Sequence, residues 1–299
     1  MAKANSKSER LAVLKTYKLY IGGKFPRTES GRFYTPEQNG KPLGNICQGS
    51  RKDVRNAIVA ARAAQAGWAA RTAYNRGQIL YRIGEMLEGR AEQFRSELVQ
   101  QGLSAKQAKQ EVELSIDRLI YYAGWCDKYQ QIFSSVNPVA SSHFNFSILE
   151  AMGLVFHVAS EESPLLGLVS LIAPVIAGGN TIITLASESK PLSAITFGEV
   201  LHTSDVSGGV VNILTGNKDE LAEHFASHLD VNAVAYDGDD QKYLQQLESC
   251  AVGNVKRVRS FGCDWALAEN ENPYLIENFC EVKTTWHPIE KISATGAGY

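Results

Sequence analysis

The sequence predicts an α/β fold with a doubly wound parallel sheet and a small β arm outside it. Five short, nearly continuous apolar runs lie at residues 154–159, 181–185, 210–214, 233–236 and 255–258. Such runs are typical of strands covered on both faces of a parallel sheet, and the tracts between them are long enough for crossover helices. Two further segments, 143–150 and 276–287, alternate polar and apolar residues and predict half-exposed strands.

The amino-terminal half is predicted to be mainly helical. Residues 1–17 form a charged leader, and residues 18–25 (KLYIGGKF) predict a strand that ends in a Gly-Gly turn. Ser50 with Asp53 three residues later predicts the start of a first helix. Apolar residues at helical spacing predict two more helices, around residues 79–87 and 115–125.

Composition excludes several classes of protein. With 44% hydrophobic residues and a net charge of -2, the chain is not disordered. The balance of 30 basic and 32 acidic residues creates no long-range attraction for nucleic acid. The most apolar stretch, 164–183, is interrupted by polar residues, Pro and Gly, so it predicts buried core and not a membrane span. The amino terminus has no apolar segment typical of a secretory signal.

The cysteines are odd in number, are widely spaced and form no CxxC pair; they are Cys47, Cys126, Cys250, Cys263 and Cys280. This pattern argues against a disulfide framework and against a thiolate zinc site. A cytoplasmic location is therefore expected.

Five segments form an ordered set of motifs: YIGG at 20–23, SRKDVRNAIVAARAAQAGWA at 50–69, AGGNTIITLASESKPLSA at 177–194, GGVVNILTGN at 208–217 and EVKTTW at 281–286. Together they resemble the NAD-dependent aldehyde dehydrogenase superfamily. The RKDV and WAARTAYNR segments are most similar to the non-catalytic second module of the family-16 members. The resemblance implies a Rossmann-like NAD-binding domain at 18–142 and 151–275. It also implies a β oligomerisation arm at 143–150 and 276–289, followed by a flexible tail at 290–299.

The catalytic residues of the resembled family are replaced. Glu162 stands where those enzymes place an oxyanion-stabilising Asn, and a carboxylate there would raise the energy of the oxyanion. Phe261 stands at the position of the general-base Glu. Only residues 265–275 separate Asp264 from the predicted terminal strand, so the catalytic domain with its nucleophilic Cys is expected to be missing. Cys263 is the one cysteine near the old crevice, and a buried hydrophobic role is more typical of such a lone cysteine than catalysis. No catalytic residue is predicted.

The dinucleotide groove of the resembled family is also altered. Its ribose-binding Lys is Leu185 here, whereas Glu188, Gly216 and Gly238 remain as candidate cofactor-binding residues. We expect both glycines to be kept for positive φ angles.

The phosphate-binding turn of this family reads YDGD at 236–239. Asp237, Asp239 and Asp240 are expected to cap the following helix and to repel a diphosphate. A divalent cation held by these three carboxylates is a less favoured alternative. No metal site is expected and no cofactor, with NAD as the alternative.

These departures predict a non-catalytic aldehyde-dehydrogenase-like protein that acts as a scaffold or assembly module. Apolar side chains on the two arm strands would be costly to leave exposed; they are Phe144, Phe146, Ile148, Val282 and Trp286. An unpaired strand edge also favours association. We expect a homodimer or an assembly with an aldehyde-dehydrogenase-like chain, and neither nucleic acid nor membrane as partner. Two alternatives stay open: an NAD(P)-dependent aldehyde oxidoreductase with an unconventional site, and a sensor for a nucleotide other than NAD.

Overall fold

The computed structural model describes residues 13–289, so the predicted tail and most of the predicted leader lie outside the described residues. The strands are, in chain order, β1 (Thr16–Tyr17), β2 (Phe33–Tyr34), β3 (Glu37–Gln38), β4 (Lys41–Pro42), β5 (Asn45–Cys47), β6 (Ser135–Asn137), β7 (His143–Ala151), β8 (Leu154–Val158), β9 (Thr181–Leu185), β10 (Val211–Leu214), β11 (Ala233–Tyr236), β12 (Arg257–Ser260) and β13 (Cys280–Pro288). The α-helices are α1 (Arg51–Ala69), α2 (Ala73–Glu88), α3 (Ala91–Gln100), α4 (Ala105–Trp125), α5 (Tyr129–Phe133), α6 (Leu166–Ala177), α7 (Leu192–His202), α8 (Lys218–Ala226), α9 (Gln241–Ala251) and α10 (Tyr274–Glu277).

The central sheet has five parallel strands in the order β10-β9-β8-β11-β12. The predicted doubly wound α/β fold is confirmed. From β8 the chain winds outward through β9 to β10 and then returns to the other side through β11 and β12. The direction of winding therefore changes between β8 and β11, where doubly wound sheets bind their ligands.

Two apolar cores cover the faces of this sheet. Helices α1, α8 and α9 pack on one face, and α6 and α7 pack on the other, beneath a layer formed by α2, α3 and α4. Every residue of α6 is buried because the helix lies between the sheet and that outer layer. This explains why 164–183 is so apolar. Between residues 13 and 289, no helix is both long and apolar enough to cross a membrane.

The predicted start of the first helix is confirmed. Ser50 caps α1 in a capping box with Asp53. The Asp53 carboxylate accepts hydrogen bonds from the Ser50 backbone N–H at 2.8 Å and from the Thr28 hydroxyl at 2.6 Å. One buried carboxylate thus holds both the helix start and the preceding loop.

The predicted strand at 18–25 is wrong. Tyr20 and Ile21 form only isolated bridges, with Ile213 and Lys24, because the turn at Gly22–Gly23 returns the chain at once. The nearby strand is instead β1, which pairs with β5. Since β1 covers residues 16 and 17, these two belong to the folded body and not to the predicted leader.

The arm is a separate antiparallel sheet in the order β13-β7-β6. Both predicted alternating strands are present, with Thr284 opposite Ser147 near the middle of the pair. The second begins at Cys280 and not at the predicted residue 276, because Ile276 is buried in the short helix α10. β6, which the sequence did not predict, covers part of the other edge of β7.

A short link, residues 261–279, joins β12 of the central sheet to β13 of the arm. Arg118 of α4, which is only 2% exposed, anchors it. The Arg118 guanidinium donates to the backbone oxygen of Trp265 at 3.0 Å and to the Glu271 carboxylate at 2.9 Å. The Tyr122 hydroxyl donates to the backbone oxygen of Asn272 at 3.0 Å. Side chains of α4 therefore hold this link against the body of the protein.

We expect Arg118→Met to destabilise the protein by about 2–4 kcal/mol, because several buried polar groups lose their partner together. The measurement is the urea midpoint of the intact chain. Arg95→Met is the matched control: Arg95 makes ion pairs with exposed Glu92 and Glu113, and such pairs contribute less than about 1 kcal/mol. Equal midpoints for the two variants would contradict the anchoring role of Arg118.

Candidate functional site

A crevice lies at the carboxyl edge of the central sheet, beyond the ends of the paired strands β8 and β11. A cavity of about 520 Å³ lies in it, between α4, the turns after β8 and β11, and the link. Acidic and thiol side chains in its lining are Glu111, Glu162, Asp237, Asp239, Asp264 and Cys263. We call this the carboxyl-edge crevice.

Helices α6 and α7 begin at this edge, and side chains from the outer helical layer cap both of them. The Glu111 carboxylate of α4 accepts from the backbone N–H groups of Leu165 and Leu166, at 2.8 and 3.1 Å. Burial raises the pKa of Glu111. The Gln101 amide oxygen accepts from the N–H of Leu192 at 2.7 Å. Both helix starts, which are natural anion-binding positions, therefore contact acceptors of the chain itself.

Helices α8 and α9 begin at the same edge and are capped locally. The Asn217 side-chain oxygen accepts from the N–H of Glu220 at 3.0 Å. The Asp240 carboxylate accepts from the N–H groups of Lys242 and Tyr243, at 2.9 and 3.2 Å. Asp240 thus caps the helix that follows the altered phosphate-binding turn.

The other two aspartates of that turn do not cap α9. Asp237 is buried and accepts a hydrogen bond from the Trp265 indole N–H at 2.8 Å. Burial raises its pKa to about 7, although the hydrogen bonds from Trp265 and the Ser160 backbone favour the charged form. Asp239 is exposed at the rim of the crevice. Within the described residues no cluster of three or more His, Cys, Asp or Glu side chains could hold a metal ion.

The loop after β9 encloses a second internal carboxylate, Glu161. This carboxylate accepts from the Ser187 hydroxyl at 2.7 Å and from the backbone N–H groups of Glu188 and Ser189, at 2.8 and 3.2 Å. Burial alone would raise the pKa of Glu161, but the donated hydrogen bonds outweigh it and lower the pKa. An anion-binding loop is therefore occupied by the protein's own anion.

The three predicted cofactor-binding residues lie at this edge in different environments. The Glu188 carboxylate accepts from the Asn217 amide at 3.3 Å. Gly216 has the expected positive φ, 149°, and a Cβ there would lie 3.0 Å from the Gly49 backbone nitrogen. The expectation of a positive φ at Gly238 is wrong. Gly238 is instead constrained by space, because a Cβ would lie 2.5 Å from the Tyr236 hydroxyl.

The residues that the resemblance places at catalytic positions, and Cys263 beside them, lie in different surroundings. Glu162 is exposed, and its turn is held by the Ser160 hydroxyl, which accepts from the Glu162 N–H at 3.1 Å. Phe261 packs against Trp265, with ring centroids 6.1 Å apart. Cys263 is exposed, so the buried role expected for it is wrong. Partial desolvation, reinforced by the charge of Asp237, raises the pKa of Cys263 to about 11. Its thiolate form is therefore rare at neutral pH.

The predicted interface residues do not share one face of the arm. Phe144, Phe146 and Ile148 lie on one face, whereas Val282 and Trp286 lie on the opposite one. The register causes this split, because Val282 is opposite Leu149 and directly opposed residues point to the same side. That these residues form an interface stays a prediction.

The sequence did not predict three side chains that accept from backbone N–H groups at the carboxyl edge of the sheet: Glu111, Gln101 and Glu161. Glu111 has a recognisable signal, since it lies on the apolar stripe of α4 beside Ala108, Val112 and Ser115, where a solvated carboxylate is not expected. Gln101 and Glu161 have no such signal in the sequence.

The chain is similar in sequence to known proteins over most of its length. The model of the aldehyde dehydrogenase family matches residues 26–260. The chain belongs to the aldehyde dehydrogenase family. It is 29% identical over 257 residues to the cytosolic 10-formyltetrahydrofolate dehydrogenase of Mus musculus, covering 84% of this chain.

Solved structures of the family share the fold. PnpE from Pseudomonas sp. WBC-3 is 26% identical with a TM-score of 0.78 over 82% of this chain. The NAD+ complex of an aldehyde dehydrogenase from Bacillus cereus has the same TM-score at 23% identity, also over 82% of this chain. The chain spans 28% of the length of the mouse relative and 50% of each solved structure.

The raised pKa of Asp237 predicts a pH-dependent stability. An aspartate ordinarily ionises near pH 3.8, so between that pH and about 7 the folded state holds a proton that the unfolded state has lost. Stability from this group therefore falls as the pH rises through this window. The Asp237→Asn variant does not undergo this loss. We therefore expect the difference in unfolding free energy, variant minus wild type, to increase by about 3 kcal/mol from pH 5 to pH 8.

Urea unfolding of wild type and Asp237→Asn at both pH values is the measurement. Any hydrogen bond lost by the amide affects both pH values equally, so only the difference is interpreted. Asp240→Asn is the matched control, because Asp240 is exposed and Asn caps helices equally well. A pH response of Asp237→Asn that equals that of wild type would contradict a buried, proton-holding Asp237.

Proposed function

We propose that the chain is a non-catalytic member of the aldehyde dehydrogenase family that acts as an assembly module and binds no dinucleotide. The main support is the carboxyl edge of the sheet, where five side chains accept from backbone N–H groups: Glu111, Gln101, Glu161, Asn217 and Asp240. In a doubly wound fold these N–H groups are the natural donors to a diphosphate. A cofactor would have to displace acceptors that are already in place.

Electrostatics at the crevice support the same conclusion. Asp239 and Asp240 lie in the turn after β11, Glu188 lies in the loop after β9, and Glu161, from the turn after β8, contacts that loop. A diphosphate placed between them would meet like charges, at a cost of about 1 kcal/mol or more for each close pair.

Two groups used by the resembled enzymes, a thiolate nucleophile and a general base, also have no counterpart at Cys263 and Phe261. With a pKa of about 11, only about one Cys263 in 10⁴ is a thiolate at pH 7. Phe261, at the position that the family resemblance assigns to the base, carries no proton that can be transferred. These observations weigh against the alternative, an NAD(P)-dependent aldehyde oxidoreductase with an unconventional site.

The arm supports a role in assembly. Phe144, Val282 and Trp286 are 45%, 64% and 58% exposed in the single chain. An apolar groove of about 320 Å³ lies beside Val136, Phe144 and Phe146 on the β6 side of the arm. Contact with a second chain would remove this surface from water. All five cysteines are free, which agrees with a reducing, cytoplasmic location.

Calorimetric titration of the intact chain with NAD+ tests the proposal. We expect no saturable heat up to about 1 mM NAD+, which corresponds to less than about 4 kcal/mol of binding free energy. A full-length NAD-binding aldehyde dehydrogenase titrated under identical conditions is the positive control. AMP and ATP, titrated in parallel, test whether the crevice binds another nucleotide.

Saturable micromolar binding of NAD+, or absorbance at 340 nm that rises when an aldehyde and NAD+ are mixed with the chain, would refute the proposal. Light scattering of the chain, alone and with a full-length family enzyme, tests assembly. A strict monomer that ignores such an enzyme would count against the role of the arm.

A further inference from the structure

The outer edge of the arm has a backbone pattern that fits one partner. Within the described residues β13 pairs only with β7, and it is exposed from Glu281 to Pro288 apart from the half-buried Thr285. We infer that this edge binds the same edge of a second copy of the chain, antiparallel, with the two-fold axis at Thr284. The inference rests on the proposed assembly role and specifies its partner and register.

Hydrogen bonds at the ends of the β13–β7 pair determine which groups point outward. The N–H of Ile289 donates to the backbone oxygen of Ser142 at 3.0 Å, and the N–H of Met152 donates to that of Phe279 at 3.4 Å. Bonded positions alternate along an antiparallel pair. The odd-numbered residues of β13 therefore bond to β7, and the even-numbered residues direct their N–H and C=O groups away from it.

At two of these outward positions one backbone group needs no partner from a second chain. The backbone oxygen of Cys280 accepts from the Arg257 guanidinium at 3.0 Å. Pro288, at the other end, has no N–H to satisfy. The residues with both outward groups left open are Val282, Thr284 and Trp286, and the Cys280 N–H and the Pro288 C=O face the same edge.

An axis at Thr284 pairs all of these groups. Thr284 then bonds to Thr284 of the second copy, and Val282 of each copy bonds to Trp286 of the other. Moving the axis by one residue gives a poorer match. With an axis at Lys283, the Cys280 oxygen would have to accept from Trp286 of the second copy beside its bond from Arg257. With an axis at Thr285, Val282 lies opposite Pro288, which cannot donate.

The side chains favour the same register. Val282 faces Trp286 of the second copy, an apolar cross-strand pair of a stabilising kind. On the other face Glu281 faces His287, and Lys283 faces the uncharged Thr285. An axis at Lys283 would place two lysines opposite each other, and like charges directly opposed destabilise a strand pair.

The antiparallel arrangement also places the remaining parts of the two chains at opposite ends of the strand pair. The body joins β13 at Cys280, and in the pair Cys280 lies opposite Pro288 of the second copy. The two bodies therefore sit at opposite ends of a strand about 30 Å long. One strand pair is small beside a standard interface of about 1,600 Å², so we expect a dimer that dissociates at micromolar concentration.

Cysteine cross-linking of the full chain tests the register. Across a hydrogen-bonded antiparallel pair the Cα atoms are about 5.5 Å apart, within the range of disulfides. Thr284→Cys should therefore form a covalent dimer with oxidised glutathione, at a yield at least tenfold above wild type, which controls for the native Cys263. Val282→Cys is the matched control, because its two copies would lie about 14 Å apart, four residues along the strand.

A mixture of Val282→Cys and Trp286→Cys chains should cross-link, whereas each variant alone should not. As a second test, Thr284→Pro removes the central outward N–H without removing a backbone hydrogen bond to β7; the 2.8 Å contact between the Thr284 and Ser147 hydroxyls is lost in Thr284→Val as well. We expect it to be monomeric by light scattering at concentrations where wild type and Thr284→Val are dimeric.

Equal cross-linking of Thr284→Cys and Val282→Cys, or a Thr284→Pro chain that is still dimeric, would overturn the inference. A wild-type chain that is monomeric at high concentration but binds a full-length family enzyme would overturn self-pairing and leave the proposed function intact. Saturable NAD+ binding by a chain that cross-links as expected would have the opposite meaning, since it refutes the proposed function and supports the pairing.

Discussion

Backbone N–H groups at the start of the crossover helices must find acceptors, and this requirement governs the carboxyl edge of the structure. Four crossover helices begin there, and each has an N–H group bonded to a side chain of the same protein. A ligand-binding member of a doubly wound fold leaves such groups for an anion. Here side chains of the protein itself supply an acceptor at each of the four helix starts.

Internal acceptors have an electrostatic cost that a bound cofactor would not impose. Burial raises the pKa of Glu111, and it raises the pKa of Asp237 to about 7, so the Asp237 carboxyl is partly protonated at neutral pH. Glu161 escapes this because hydroxyl and backbone donors surround it. The acidic groups of this edge are thus partners in internal hydrogen bonds.

The link after β12 connects this crevice to the arm. Its Trp265 donates to Asp237 in the crevice, and the backbone of the same residue accepts from Arg118. The link spans residues 261–279 and ends where β13 begins. Since no other described strand lies beside the outer edge of β13, the same short connection that completes the crevice leaves a regular strand edge exposed. The crevice contact of Trp265 and the open edge of β13 therefore depend on the same short segment.

The sequence by itself determined the parallel sheet, the cap of α1, both arm strands and the acidic cap at Asp240. These depend on patterns within a few residues, such as runs of Val and Ile, alternation, or a capping residue beside its helix. Tertiary structure alone decided that Glu111 and Gln101 cap helices 54 and 91 residues away. It also decided that Gly238 is confined by Tyr236 and that the arm's apolar residues divide between two faces. Strand register and long-range hydrogen bonds depend on how distant segments meet, and no local pattern encodes that meeting.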